Sequence, residues 1–361
     1  MKTKHVILLV AAAFGLLAIR QVTKYATTIT ASMPGKIASV PAGSYGKILE
    51  VLPHTQGGAY IEKVEIYSQK EKNSDEKLVR KGVLVRHPRA IATVLICHGF
   101  MCDKYDVAFL RHVFPSGLFN VMIFDFRGHG EEAQGQKCTL GRDEAYDVIA
   151  AGKFLHEHPD LKSIPVLAYA FSMGAVAAIK AQSKESGLFA GMVLDCPFDS
   201  TENMIKRGLE NMKLSLFGYR FSCPGLSFLQ QNAFHPYVQA LVKTVLKSVA
   251  QLDERNIDVN ICKVCTYKAI KKVEVPCFFI HCRNDEKVTI DAIKTVFQAA
   301  QGYKTLWLTN GRRHFDSYFY NPELYTERVT RFVEQVVHGT LLTNQHNSIV
   351  EDAPASATAG I

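Results

Sequence analysis

Among 361 residues there is one tryptophan, no basic run long enough to follow a nucleic-acid backbone, and no apolar run of full membrane-spanning length. Lys and Arg are scattered without interleaved aromatics. The net charge of +8 therefore reads as a solvated surface, and nucleic-acid binding is not expected. No internal repeat is visible, which sets solenoids aside. Metal-ligand spacing is nearly absent as well. Cys262-x-x-Cys265 is the single close cysteine pair, and no second C-x-x-C or His pair accompanies it. A zinc site is not expected there; a local disulfide or two plain thiols is. Nine cysteines are an odd number, so an exported chain would keep at least one thiol free. Cys97 and Cys277 sit inside apolar runs and read as core residues. What is present is a globular composition, 47 % hydrophobic, in a chain long enough for one large core with an insertion or for two small domains.

The amino terminus departs from that texture. Lys2 and Lys4 precede an uncharged run, Val6–Ile19, and Arg20 and Lys24 follow it. Fourteen helical residues span only ~21 Å, short of a ~30 Å hydrocarbon layer. By length the run resembles a signal-peptide core, but Arg20 closes it at once and no A-x-A cleavage site follows. Snorkelling of Lys4 and Arg20 would let the short helix serve as an uncleaved anchor. Residues 1–24 are thus read as an anchor or signal segment, with membrane association through it. The core is expected outside the cytoplasm, either anchored or exported after cleavage.

Short β-rich runs then alternate with helix-length segments, which predicts an α/β fold with a mostly parallel central sheet flanked by helices. Strands are expected near Tyr60–Tyr67, Gly82–Arg86, Ala92–Cys97, Val121–Phe126, Val166–Phe171, Gly191–Asp195, Cys277–His281 and Lys304–Leu308. Helices are expected near Val107–Phe114, Arg142–His156, Gly174–Lys184, Asp291–Ala300 and Pro322–Val337. The first strands have no helix between them and should form an antiparallel edge. Between Ser200 and Lys272 the alternation stops and a helix-rich stretch follows, broken at Cys223-Pro-Gly and His235-Pro. The expected organisation is a core over 45–199 and 273–338, a helical cap inserted at 200–272, and a disordered tail at 339–361.

The most informative stretch is Val166-Leu-Ala-Tyr-Ala-Phe-Ser172-Met-Gly174-Ala-Val-Ala-Ala. A strand-like run reaches a serine and turns at once into a helix-like run. Such a turn lifts the hydroxyl clear of the sheet and demands small residues two before and two after it, here Ala170 and Gly174. Ala92–Cys97 leads into His98-Gly99-Phe100, a strand ending in a glycine loop. Backbone N–H groups of Phe100 or Met101, and of Met173, are the natural oxyanion donors. His98 is read as a structural turn histidine. After Phe278–Cys282 a polar turn presents Asp285, an acid able to hold a histidine tautomer. Asp195, ending the preceding strand, is its rival, and Glu286 is a weaker neighbour. His314 follows the last strand and Gly311, on the same sheet edge. Ser172, Asp285 and His314 are therefore the candidate catalytic residues, in the order Ser, Asp, His.

With these motifs in place, residues from about Lys81 to Val337 resemble the serine-hydrolase branch of the α/β-hydrolase superfamily, close to its serine aminopeptidase-like and lysophospholipase-like members. Asp125-Phe-Arg127-Gly128-His129-Gly130 resembles the family's D-x-R-G-H-G turn. Gly141-Arg-Asp-Glu144-Ala-Tyr-Asp147 resembles the start of its next helix, and Leu194-Asp195-Cys-Pro-Phe198 its L-D-S-P-F segment. Ala170 stands where the family has glycine. The resemblance implies acyl transfer to water through a Ser172–His314–Asp285 triad and an acyl-enzyme, with no metal or organic cofactor. Aromatics in the cap (Phe217, Tyr219, Phe221, Phe228, Phe234, Tyr237) beside a membrane segment suggest a small-molecule or lipid-like acyl ester or thioester. They serve equally to pack the cap. A peptidase or amidase of the same fold, and a non-catalytic hydrolase-like binding protein, are the alternatives. Aspartate at the elbow would be needed for dehalogenase or epoxide hydrolase chemistry, and Ser172 rules that out.

Overall fold

The computed structural model describes residues 59–210, 213–216, 219–222, 232, 234–235, 257–341 and 346–353. The expected anchor, residues 1–24, lies outside them, as does the middle of the expected cap. No helix among the described residues is long and apolar enough to cross a membrane. The chain divides into two compact units, one of residues 1–44 and 202–257, the other of 45–201 and 258–361.

The larger unit is built on a nine-stranded sheet. Its strands in chain order are β1 (Tyr60–Gln69), β2 (Lys77–Arg86), β3 (Ala92–Cys97), β4 (Phe119–Phe124), β6 (Val166–Phe171), β7 (Gly191–Asp195), β11 (Cys277–Cys282), β12 (Lys304–Thr309) and β13 (Ser348–Glu351). Short β5 (Lys137–Cys138) and β10 (Asp258–Val259) pair in parallel apart from this sheet. The spatial order is β1-β2-β4-β3-β6-β7-β11-β12-β13. β2 runs antiparallel to both its neighbours, β1 and β4, the expected antiparallel edge, and every later neighbour is parallel. The composition explains this division. β3, β6 and β11 are buried at every position and read as unbroken apolar runs, as strands covered on both faces must. β1 alternates, burying Val64, Ile66 and Ser68 while neighbouring residues stay exposed.

Helices α1 (Glu144–Glu157), α2 (Met173–Gln182), α4 (Thr266–Ala269), α5 (Ile290–Ala299), α6 (Ser317–Tyr320) and α7 (Pro322–His338) belong to this unit; α3 (Thr201–Glu210) runs from it into the other. α7 carries its signals in its sequence. The Asn321 side chain caps the Leu324 N–H, Pro322 opens the first turn, and Gly339 closes the helix at φ 65°. The smaller unit shows most of α3 and an antiparallel hairpin of β8 (Lys213–Leu216) and β9 (Tyr219–Ser222).

Three expectations need correction. The segment near Val107–Phe114 is a 3₁₀ helix over Ala108–Val113, and no side chain caps its start. Residues 258–272, assigned by sequence to the cap, belong to the larger unit: β10 pairs with β5, and the Thr201 hydroxyl joins this segment at the Cys262 carbonyl and the Val264 N–H. The third correction is the tail. Residues 348–351 form the last strand of the sheet, with Leu306 opposite Ile349 and Trp307 opposite Val350. β12 would otherwise present a row of unpaired backbone groups, and two β-branched residues between polar neighbours suffice to cover it. Composition hid this because most of the tail is small and polar. Residues 342–345 and 354–361 lie outside the described residues.

Candidate active site

β6 ends at Phe171 and α2 begins at Met173, so Ser172 is the single residue of the turn between them. Its φ of 53° and ψ of −122° lie where an L-residue is strained, as in a nucleophile elbow. Small neighbours make the turn possible. Ala170 is fully buried. A Cβ on Gly174 would stand 2.2 Å from the Cys97 carbonyl oxygen and 2.4 Å from that of His98. Only glycine fits there.

The three candidate catalytic residues meet beyond the carboxyl ends of their strands. Ser172 Oγ lies 2.8 Å from His314 Nε2, and His314 Nδ1 lies 2.6 Å from Asp285 Oδ2. The partners assign the tautomer: Nδ1–H donates to the carboxylate, leaving Nε2 to accept the serine proton. Asp285 is itself anchored, since Oδ1 accepts the N–H groups of Lys287 (2.8 Å) and Val288 (2.9 Å). Burial alone would raise its carboxyl pKa. The charge and hydrogen bond of His314, with His281 nearby, outweigh burial and hold it below the ordinary carboxylate value. Asp285 is therefore ionised at neutral pH.

The rival acid is elsewhere. Asp195 is fully buried, and its Oδ2 accepts from Tyr325 Oη at 2.8 Å, with Tyr169 Oη a further 2.6 Å along the chain. Burial pushes its carboxyl up to about 7. Glu286 is exposed and not in the constellation.

The oxyanion candidates separate as well. Met101, at φ 65°, donates its N–H to His129 Nε2 at 3.3 Å, so that group is already engaged. Phe100 is the neighbour that retains a spare N–H. The Met173 N–H opens α2, where no intrahelical acceptor exists. His98 is structural, as expected. Its Nδ1–H meets the Gly99 carbonyl at 2.8 Å, and its Nε2 accepts from Phe126 N at 3.0 Å. Burial pushes its pKa down to about 4, so it stays neutral.

Several residues that hold the site gave no signal in the sequence. Phe171 stacks on Phe315 with ring centroids 3.9 Å apart, tying the elbow to the residue after His314. The His314 loop is closed by Asp316, whose Oδ2 accepts from Arg312 N at 2.7 Å and whose N–H meets Cys282 Sγ at 3.2 Å. Cys196 Sγ stands 3.9 Å from His314 Nε2. Aromatic and thiol residues are common in cores, and nothing in their spacing marks these ones.

For metals, Cys196, Asp285 and His314 bring donor atoms within 4.8 Å of one another. His314 and Asp285 are, however, already joined to each other and to Ser172. Cys262 and Cys265 are free thiols, the second of the two states expected of the pair.

The motif residues of the next strand and helix are structural. Arg127 reaches Asp147 through Nε (3.0 Å) and Nη2 (2.8 Å) and also holds the carbonyls of Gln69 and Lys70. Glu144 gathers the N–H groups of Thr139 and Gly141.

Comparison with known proteins agrees with this fold. The model of the serine aminopeptidase S33 family matches residues 88–248, which include the elbow and stop short of Asp285 and His314. The fold matches the esterase Pf2001 of Pyrococcus furiosus at a TM-score of 0.56 and 20 % identity, over 81 % of this chain and 95 % of that one. It also matches the peroxisomal α/β-hydrolase Lpx1 of Saccharomyces cerevisiae at a TM-score of 0.54 and 14 % identity, over 80 % and 92 % of the two chains. The chain has the α/β-hydrolase fold. Among sequences, the chain is 24 % identical over 260 residues to the uncharacterized protein YqkD of Bacillus subtilis, covering 69 % of this chain and 73 % of that protein.

Proposed function

We propose that this protein is a serine hydrolase that cleaves carboxylic esters or thioesters of small or lipid-like acyl groups. The observation that carries the reading is the unbroken relay Ser172 Oγ–His314 Nε2–Asp285 Oδ2, at 2.8 and 2.6 Å, with Ser172 raised on a strained turn. In the reaction His314 takes the Ser172 proton as Oγ attacks the carbonyl carbon. Asp285 keeps Nδ1 protonated and stabilises the imidazolium. The N–H groups of Phe100 and Met173 receive the developing oxyanion, each donor worth roughly 2.7–4 kcal/mol of barrier. His314 then protonates the leaving group, and water, deprotonated by the same imidazole, releases the acyl group. No metal or cofactor enters these steps.

Fluorophosphonate labelling tests the reading. Wild type should label, and Ser172→Ala and His314→Ala should not, although both remain folded. A folded wild type that does not label would remove the hydrolase assignment and leave the binding-protein alternative. The match to a serine aminopeptidase family supports a second reading, cleavage of peptides or amides. Comparing p-nitrophenyl esters with aminoacyl p-nitroanilides separates the two. The aromatics Phe217, Phe228 and Tyr237, which bear on a greasy substrate, lie outside the described residues.

Membrane attachment through residues 1–24, with the core extracytoplasmic, is part of this proposal. The charge flanks of Val6–Ile19 support it. Carbonate extraction of the full chain, against a chain starting at Tyr25, is the check.

A further inference from the structure

Away from the triad, a cavity of about 310 Å³ opens where β1, β2 and β4 meet the 3₁₀ helix Ala108–Val113. It lies beside Phe119 and Val121 at the start of β4. Ser172, Asp285 and His314 instead follow the carboxyl ends of β6, β11 and β12. The two places are separate.

The cavity walls are mostly apolar, including Ile61, Val85, Phe114 and Phe119. Three polar side chains interrupt them: Arg111, His112 and His87. Arg111 is the anomaly. It is half-buried, its Nε donates to His112 Nε2 at 3.2 Å, and among the described residues no carboxylate pairs with it. A guanidinium withdrawn from water without an anion is unfavourable, and an incoming anion relieves that. Burial pulls both imidazoles down, so near neutral pH Arg111 carries the only positive charge of the three. His87 Nδ1 is buried without a partner.

These features select the ligand chemistry. A single cation facing apolar walls matches a monoanion with a hydrocarbon body, whereas a phosphate dianion would lack countercharge. The volume sits at the lower end of small-molecule sites, of order 300–1,000 Å³. We propose that this cavity binds a small amphipathic carboxylate, its oxygens on Arg111 and its hydrocarbon between Ile61, Val85, Phe114 and Phe119. The site does not depend on the hydrolase reading.

Octanoate is the probe, with octanol as its uncharged counterpart. Each is titrated by calorimetry into the full chain carrying Ser172→Ala, so that turnover cannot intrude. Saturable octanoate binding is expected at one site. Arg111→Gln and Val85→Phe should each weaken it at least about tenfold, as loss of a charge-assisted pair or of the cavity volume implies. Octanol should bind at least about tenfold more weakly than octanoate. Val85→Phe leaves the charge in place and tests the site even if Arg111→Gln fails to fold. The proposal is overturned by a folded protein that binds no octanoate saturably, by variants that bind it like the parent, or by octanol binding as tightly as octanoate.

Discussion

Replacing Asp285 by asparagine separates the two candidate acids with one oxygen-to-nitrogen change. The new side chain can keep its oxygen on the Lys287 and Val288 N–H groups, so the turn should hold. Its amide nitrogen then faces His314 Nδ1 across the present 2.6 Å contact, and two donors cannot share it. The imidazole answers by moving its proton to Nε2, which removes the acceptor that Ser172 needs at 2.8 Å. An aspartate-to-asparagine change in the serine-protease triad lowers kcat by roughly 10⁴ through this tautomer switch. Four powers of ten correspond to about 5.5 kcal/mol of barrier. The assay is ester turnover and fluorophosphonate labelling rate, with the thermal midpoint as control. Asp285→Asn should lose about 10⁴-fold with little change in stability. Asp195→Asn should lose far less, because Asp195 meets Tyr325 and not His314. If Asp195→Asn abolished turnover while Asp285→Asn left it within a few-fold, the assignment of the acid would be refuted.

Further outcomes follow from the same contacts. Asp147→Asn should cost about 3–5 kcal/mol, because it leaves the buried Arg127 guanidinium without its paired charge; the urea midpoint reads this, and a loss under about 1 kcal/mol would contradict it. The single tryptophan, Trp307, donates Nε1–H to Asp352 at 2.8 Å, so Asp352→Ala should shift its emission, and no shift would mean that β13 does not dock in solution. His281, with its Nε2–H on the Val288 carbonyl, is pushed by burial down to about 4 from an ordinary 6.5. Between those values the unfolded chain binds a proton that the folded chain refuses. The His281 contribution is therefore complete above pH 6.5 and is lost as pH falls towards 4. From pH 6.5 to 5 that is about 2 kcal/mol; His281→Gln should flatten the acid limb by that much in urea titrations at successive pH values, and an unchanged limb would count against it.

Much of this was legible because the chemistry needs particular residue types at fixed places. Ser172 between Ala170 and Gly174 specifies its turn through sterics alone, and β3, β6 and β7 fall at their expected bounds because both faces of those strands are buried. Asp285 and His314 were found by strand order, since the turns after β11 and β12 open on one sheet edge. What escaped has no periodic or compositional mark. β13 is four residues in a polar tail, set by the need of β12 for a partner. The 3₁₀ helix at Ala108–Val113 has an apolar pattern that does not distinguish it from an α-helix. The stacking of Phe171 on Phe315 joins residues far apart in the chain, beyond the reach of local pattern.

The choice between Phe100 and Met101 shows how the buried motif residues reach the chemistry. An oxyanion hole works when its donors are already aimed and need no reorganisation. The loop after β3 is held from below by two histidines. His98 accepts the Phe126 N–H, and His129 accepts the Met101 N–H while its Nδ1 meets the Arg127 carbonyl at 3.0 Å. Lys104, farther along the loop, is clamped on Asp125 by both its backbone N–H (2.7 Å) and its Nζ (2.6 Å). Asp125 and His129 both belong to the Asp125–Gly130 motif, and Phe126 and Arg127 take part through their backbones. The segment touches no reacting atom, yet it occupies the Met101 N–H and leaves that of Phe100 free. On the proposed mechanism its residues position the loop that bears the Phe100 N–H, acting through hydrogen bonds to the loop. Substituting His129 should therefore lower kcat more than it raises KM.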